Sequence, residues 1–330
     1  MDYNHLPISV KDIQNAWQNI KGVINSNTLD LSDTLSQLSG METYLFRENL
    51  QKTGSFKIRG AYNKISSLTH EERKAGTVTF SSGNHGQAIA WACRHFGVRS
   101  TIVMPDFSPK CKIKAAKAYG AKVIISGSNS EDAYRTAREI SNKSGSIIIH
   151  PMNDTSLIAG HGTIGLEILN QLPDINLIVV PVSGGSLISG ILCAVKELNP
   201  LIKVIGVQPI GANAMFKSLK DGKLIELSRV NTIADGLTAK RPGELAFKII
   251  SRYIDDMVLV TDEEMLNAVI YCLNFARIVV EPAGAASVAA ILTGKITAKK
   301  KKCVCIVSGG NIEMGLLQKG IEKQLLEKRN

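Results

Sequence analysis

From Thr43 onward, short apolar runs alternate with longer segments whose apolar positions recur at helical spacing. The runs predict strands at Thr43–Arg47, Thr77–Phe80, Ser100–Met104, Lys122–Ile125, Ile147–His150, Leu177–Pro181, Val204–Gln208, Met257–Val260 and Cys303–Val307. Between them the spacing predicts helices that include Gly86–Phe96, Pro109–Tyr119, Ser130–Asn142, Gly162–Gln171, Ser189–Leu198, Asp262–Phe275 and Ala283–Leu292. Residues 9 to 24 share that spacing. Leu177-Ile178-Val179-Val180 and Cys303–Val307 are apolar throughout, as strands covered on both faces are. Alternation of this kind predicts an α/β fold of mainly parallel twisted sheets with helices on both faces. No repeat, low-complexity tract or long linker interrupts the pattern, so any division into lobes falls at a loop.

Composition narrows the classes. The 330 residues, 44% hydrophobic and 21% charged, are enough chain for two lobes. A formal net charge of +10 raises the question of nucleic acid. The lysines are scattered, however, with one dense run from Lys299 to Lys302. Aromatic residues make up only 5%, and no RNA-binding or zinc-finger pattern interleaves with the basic positions. The charge reads as a solvated surface that favours anionic ligands, and no nucleic-acid partner is expected. No apolar stretch approaches the roughly 20 residues a membrane helix needs, so no membrane partner is expected. Met1-Asp2-Tyr3-Asn4-His5 lacks the basic and apolar regions of a signal peptide, and the expected location is cytoplasmic. The six cysteines are dispersed. Cys303 and Cys305 flank Val304 and point the same way in a strand, but no second pair completes a metal site. Five of the six are expected to be reduced core thiols.

Candidate chemistry begins at Lys57, between Phe56 and Ile58. A lysine partly removed from water loses stability as an ammonium, and a neutral amine attacks carbonyls to form a Schiff base. Taken alone, the segment is better read as a lysine whose stem packs while its head reaches water. Three glycine-containing loops change the balance. Ser81-Ser82-Gly83-Asn84-His85-Gly86 follows a strand and opens a helix, where unpaired backbone donors suit an anion; its plainer reading is an Asn or Ser helix cap. Pro181-Val182-Ser183-Gly184-Gly185-Ser186-Leu187 again joins strand to helix. Its paired glycines let backbone wrap a phosphate, although a tight turn explains them as well. It is neither a P-loop nor a three-glycine dinucleotide fingerprint. Val307-Ser308-Gly309-Gly310-Asn311 ends the most apolar strand, and a buried Ser308 hydroxyl there can bond a ring nitrogen. One cofactor joins an amine nucleophile, a phosphate cradle and a neutral partner for a ring nitrogen: pyridoxal phosphate.

Longer motifs then match a known group. Gln51-Lys52-Thr53-Gly54-Ser55-Phe56-Lys57-Ile58-Arg59-Gly60-Ala61, Ser81-Ser82-Gly83-Asn84-His85-Gly86-Gln87-Ala88, Ala159-Gly160-His161-Gly162-Thr163, Ala234-Asp235-Gly236 and Glu281-Pro282-Ala283-Gly284 occur in order. Over about residues 8 to 315 the chain resembles fold-type II pyridoxal-phosphate enzymes of the threonine dehydratase and serine racemase group. The resemblance implies a two-lobe, tryptophan synthase β-like fold. Residues 1–50 and 151–330 would form a large cofactor-binding domain, and 51–150 a small domain with the substrate-carboxylate loop. It implies that Lys57 holds the cofactor and, once freed, takes the substrate's α-proton. Phe56 would pack on the cofactor ring, Asn84 bond the ring's 3′ oxygen, and Ser183, Gly184, Gly185, Ser186 and Leu187 bind phosphate. Ser308 would bond the pyridine nitrogen, with Gly236 near the ring. Ser81, Ser82, Gly83, Asn84 and His85 would surround the substrate carboxylate.

Departures from the group bear on specificity. Ser183 and Ser186 replace the outer glycines of a phosphate loop that is usually four glycines, which a serine tolerates only at negative φ. Thr28-Leu29 stands where the group often has Thr-Pro, and Phe46 where a lysine is usual. The stretch Gln208-Pro209-Ile210-Gly211-Ala212-Asn213-Ala214 lacks the carboxylates that hold a divalent cation in serine racemases, so no metal is expected.

The expected activity is that of an L-threonine/L-serine ammonia-lyase, which removes water from a β-hydroxy amino acid and yields a 2-oxo acid and ammonia. The short architecture resembles the catabolic rather than the feedback-inhibited type. Alternatives are a serine racemase with side dehydratase activity, using Ser82 as the second base, a 3-hydroxyaspartate or phenylserine dehydratase, and a non-catalytic pyridoxal-phosphate-binding protein. A homodimer or homotetramer is the expected assembly.

Overall fold

The computed structural model describes residues 7–298 and 300–327. The segment Met1–His5 and, within the basic run, Lys299 lie outside the described residues. The chain opens with α1 (Val10–Ile20), β1 (Leu29–Leu31), α2 (Asp33–Ser39) and β2 (Glu42–Arg47). It continues through α3 (Lys57–Ser66), α4 (His70–Ala75), β3 (Thr77–Phe80), α5 (Asn84–His95), β4 (Ser100–Met104), α6 (Lys110–Ala118), β5 (Lys122–Ile125), α7 (Ser130–Ser144) and β6 (Ile147–Ile148). Next come α8 (Thr155–Gln171), β7 (Leu177–Pro181), α9 (Ser186–Leu198), β8 (Lys203–Pro209), α10 (Ala214–Asp221) and α11 (Glu244–Tyr253). The last elements are β9 (Asp256–Val260), α12 (Asp262–Tyr271), α13 (Pro282–Leu292), β10 (Lys302–Val307) and α14 (Met314–Glu327).

Two sheets result. The larger has the order β1-β2-β10-β7-β8-β9 and the smaller β5-β4-β3-β6. Every pairing is parallel except the edge pair β1–β2. The mainly parallel α/β architecture expected from the alternation is therefore present. The continuous apolar runs are explained by strict alternation between two cores. Ile178, Val180, Val304 and Ile306 face one, while Leu177, Val179, Cys303, Cys305 and Val307 face the other. Cys303 and Cys305 share a face, as their spacing requires. Five of the free cysteines are buried and Cys111 is exposed.

Local differences from the sequence reading have visible causes. Edge strand β1 is too short for a periodic signal. Strand β6 ends before His150 because that ring's Nδ1 accepts the backbone N–H groups of Met152 and Asn153, each at 3.2 Å, and turns the chain. Helix α8 starts well before Gly162, where the Asp154 carboxylate caps the N–H of Leu157 at 3.0 Å. Helix α12 stops at Tyr271 and gives way to a wide π turn over Cys272–Ala276, closed by Arg277 at φ 55°.

Candidate active site

Lys57 is the first residue of α3, and a buried charge network holds that helix in place. The Arg59 guanidinium, fully buried, donates through Nε and Nη2 to Glu48 at 2.8 and 2.7 Å. Its Nη1 donates to Thr163 at 3.0 Å and to Glu167, both on α8. Removing one member of such a buried set costs about 3–5 kcal/mol, because a charge is left without its partner. Two glycines let α3 press against α8. A Cβ on Gly60 would meet the Leu157 carbonyl at 2.5 Å. On its other side α8 meets α9 in the same way: a Cβ on Gly190 would meet the Gly162 nitrogen at 2.5 Å. The Ala159–Thr163 motif is thus a seam that brings the Lys57 helix and the α9 loop together.

Lys57 itself is half-buried and makes no hydrogen bond or ion pair among the described residues. Its Nζ lies 4.8 Å from the centroid of the Phe56 ring. Removal from water, with no carboxylate to offset it, lowers the amine to about 8. His161 meets the Phe56 ring edge-on at 4.8 Å, fully buried, with neither ring nitrogen hydrogen-bonded. Burial, then the nearby Lys57 charge, keep both His161 and His85 neutral.

The Ser81–His85 loop, expected to face the substrate carboxylate, joins β3 to α5. No acceptor among the described residues engages the backbone N–H groups of Ser82, Asn84 and His85 at the start of this twelve-residue helix. The Ser81 hydroxyl accepts the Gly83 N–H at 3.1 Å and shapes the turn, and the Ser82 hydroxyl has no partner among the described residues. His85 has a fixed tautomer. The Thr79 hydroxyl spends its only proton on the Ile149 carbonyl at 2.6 Å, so His85 must donate from Nε2 to Thr79 at 3.0 Å. Its Nδ1 is then a bare, buried acceptor. His85 can offer a carboxylate its backbone N–H, but no side-chain proton.

The loop between β7 and α9 leaves five successive backbone N–H groups, Ser183 to Leu187, without an acceptor among the described residues. They converge on a helix start, which suits a dianionic phosphate. Gly185 alone there has a left-handed backbone, at φ 101°. A Cβ on Gly184 would meet the Met152 side chain, which would have to move aside. Ser183 and Ser186 are not at positive φ, so the backbone accepts both serines. Gln208 holds the loop from behind, its Nε2 3.5 Å from the Ser183 carbonyl and its Oε1 accepting the Phe216 N–H at 2.8 Å.

Ser308 directly follows β10, buried, with one long bond from its hydroxyl to the Ala283 carbonyl at 3.4 Å. The loop after it is tied to the Lys57 segment: Phe56 N–H to the Ser308 carbonyl at 3.1 Å, and Gly310 N–H to the Gly54 carbonyl at 2.9 Å. Asn311 donates to the Thr53 carbonyl and to Asn84 Oδ1, both at 2.9 Å. Asn84 donates to Glu281 Oε1 at 2.5 Å. Gly236 lies on the Asp235–Leu237 turn, where a Cβ would sit 2.9 Å from that of Ala283.

The fold thus collects three loops far apart in sequence around one unpartnered amine. The donor set fits pyridoxal phosphate: an amine for the aldehyde, five free N–H groups for the phosphate, and a neutral hydroxyl for the ring nitrogen. The sequence reading assigned no role to Lys112. This buried lysine on α6 lies 2.6 Å from Asp235 and 2.9 Å from Glu281. In the structure Lys112 lies one helical turn before the buried Ala116, on the core-facing side of α6, although the lysine-rich sequence of that helix reads as a solvated face. Among the described residues no group of His, Cys, Asp and Glu is placed to hold a metal ion, and no helix is long and apolar enough to cross a membrane.

Comparison with known proteins agrees with this geometry. The family model for pyridoxal-phosphate dependent enzymes matches residues 21–309. The L-threonine ammonia-lyase of Thermotoga maritima is 46% identical over 320 residues, 97% of this chain and 80% of the relative. The catabolic L-threonine dehydratase TdcB of Escherichia coli K12 is 41% identical over 311 residues, 94% of each chain. Maize serine racemase superposes with a TM-score of 0.91 at 35% identity, covering 98% of this chain and 99% of the other. A family match over residues 21–309 and 46% identity over 97% of the chain, on a fold-type II scaffold, have one meaning: this chain belongs to the pyridoxal-phosphate dependent enzyme family.

Proposed function

We infer that this chain is an L-threonine ammonia-lyase that also takes L-serine, eliminating water across Cα–Cβ and yielding, after hydrolysis, a 2-oxo acid and ammonia. The observation that carries the reading is Lys57, an amine drawn down to about 8 with no ion pair, on a chain 46% and 41% identical to two threonine-deaminating relatives. When bound, pyridoxal phosphate supplies an electron sink for bond breaking at the substrate's α-carbon. Lys57, Phe56, Asn84, Gly236, Ser308 and the Ser183–Leu187 loop are the residues that would hold it. The freed Lys57 amine is basic enough to take the α-proton at neutral pH. The unpaired N–H groups of Ser82, Asn84 and His85 orient the substrate carboxylate. Ser308 would meet the ring nitrogen with a neutral hydroxyl and no charge.

On this reading the smaller sheet and its helices, about residues 51–150, are the lobe that brings the carboxylate loop to the substrate. The enzyme works in the cytoplasm as a homodimer or homotetramer and needs no nucleic acid. One observation favours a second activity, serine racemisation: the Ser82 hydroxyl has no partner among the described residues and sits on the carboxylate loop. The deciding experiment supplies purified holoenzyme with L-threonine, L-serine, 3-hydroxyaspartate and phenylserine, and measures both oxo acid and product chirality. Fastest oxo-acid release from threonine or serine is the expected result. D-serine formed faster than pyruvate would make racemisation the main activity.

A further inference from the structure

Lys112 stands out among the charged groups that the mechanism above does not use. It is 1% exposed, although α6 belongs to the smaller sheet and both its carboxylate partners belong to the chain around the larger one. Its Nζ donates to Asp235 Oδ2 at 2.6 Å and to Glu281 Oε2 at 2.9 Å. A β-carbon on Gly83 of the carboxylate loop would lie 3.5 Å from the same nitrogen, so the ammonium borders the substrate site.

Glu281 connects this pair to Asn84, and the orientation of both amides can be deduced. The Thr53 carbonyl can only accept, so Asn311 must present its NH2 there. The same NH2 then donates to Asn84, and the Asn84 atom facing it must be oxygen. Asn84 therefore turns its own NH2 to Glu281 Oε1. One of its two N–H bonds goes to that carboxylate, and no further acceptor of Asn84 Nδ2 occurs among the described residues. This order holds only while Glu281 Oε1 is an acceptor without a proton. Glu281 is buried, and burial raises its affinity for a proton; the neighbouring Lys112 charge is the largest influence against this.

We propose that Lys112 is a positioning residue: held between Glu281 and Asp235, its ammonium keeps Glu281 the fixed acceptor of the Asn84 amide, and Asn84 thereby keeps its remaining N–H for the cofactor's ring oxygen. This rests on the reading of Asn84 as the partner of that oxygen. Without Lys112, burial favours a proton on Glu281; a proton on Oε1 would remove the acceptor of the Asn84 amide, which would then be free to turn.

The test is a double-mutant cycle on cofactor affinity, read by equilibrium titration of full-length apoenzyme with pyridoxal phosphate and independent of turnover. Asn84→Ala and Lys112→Met are each expected to weaken binding about tenfold, the value of one hydrogen bond to a charged or polar partner. In the Asn84→Ala background, Lys112→Met should add less than about threefold, because its effect runs through Asn84. Parent-like affinity of Lys112→Met, or effects that multiply in the double variant, would overturn the proposal; multiplication would mean that Lys112 acts by tethering the two sheets. Parent-like affinity of Asn84→Ala would instead remove the Asn84 reading, whatever Lys112 does. If Lys112→Met does not fold, Lys112→Met with Glu281→Gln removes both charges and leaves an amide oxygen for Asn84. Near-parent affinity supports the proposal, and affinity as weak as that of Asn84→Ala overturns it.

Discussion

A β-carbon on Gly160 would lie 2.6 Å from the Cα of Gly60, closer than any side chain can approach backbone. The two glycines set how deeply α3 sinks onto α8, and so where the first residue of α3, Lys57, stands. Gly160→Ala is therefore expected to force the helices apart, at a cost of about 1–3 kcal/mol. It should also lower turnover in the fraction that remains folded. Urea denaturation of the apoenzyme measures the first effect. Gly22, where a β-carbon meets nothing within 4 Å, is the control position. Equal stability of Gly160→Ala and Gly22→Ala would mean that the seam yields freely.

The Lys57 amine predicts the pH dependence of cofactor uptake. Its acid form is disfavoured by burial, with a midpoint of about 8 rather than 10.5. The nucleophile is the deprotonated amine, so the rate of cofactor attachment should rise as pH increases through about 8 and level off above it. Stopped-flow absorbance on apoenzyme checks this, and borohydride followed by peptide mapping should place the reduced cofactor on Lys57. Label on another lysine would end the assignment, and a midpoint near the ordinary lysine value would place Lys57 in water.

In the loop proposed to bind phosphate, Gly185 differs from the two serines in backbone conformation. Gly185→Ala demands a left-handed backbone from a residue with a β-carbon, and that carbon would also crowd Ala246 and Ile250 at 2.8 Å. Strain of this kind should weaken cofactor binding about ten- to hundredfold. Ser183→Gly and Ser186→Gly relieve no strain, and binding should stay within about threefold of the parent. Titration of the three apoenzymes decides it, since a tight Gly185→Ala variant would show that the cradle is elsewhere.

Ser82 distinguishes elimination from racemisation. A planar carbanion needs an acid–base group on each face to be racemised, and Lys57 serves one face. Ser82→Ala should abolish D-serine while leaving threonine deamination within about tenfold, or 1.4 kcal/mol in barrier. Chiral chromatography of L-serine reactions reads the outcome. D-serine that persists in the variant would remove Ser82 from any second activity.

Much of the architecture was legible because the central strands are apolar on both faces and each chemical loop follows a strand directly. Lys57 and the loops that carry Asn84, Gly185 and Ser308 stood out as candidates one segment at a time, and the role proposed for Asn84 came from the family resemblance. The network around Lys112 could not. Its helix reads Lys110-Cys111-Lys112-Ile113-Lys114, a pattern like that of a solvated basic face. Its partners Asp235 and Glu281 lie 123 and 169 residues away, and no local pattern reports on contacts at that range. The tautomer of His85 was hidden for the same reason: it is fixed by the Ile149 carbonyl, 70 residues beyond Thr79. The roles of Gly60 and Gly160 likewise exist only once two helices cross.

The position of β10 also has a consequence for how the molecule comes into being. β10 lies between β2 and β7, which do not pair with each other, so the flanks of the larger sheet stay unjoined until residues 302–307 have been made. Ser308 and Asn311, which fasten the Lys57 segment, follow immediately. During synthesis the ribosome must therefore release the chain through Asn311 before Lys57 can be held in place. The early strands β1 and β2 wait meanwhile with an open edge, a slow, long-range closure of the kind that exposes a nascent protein to mispairing.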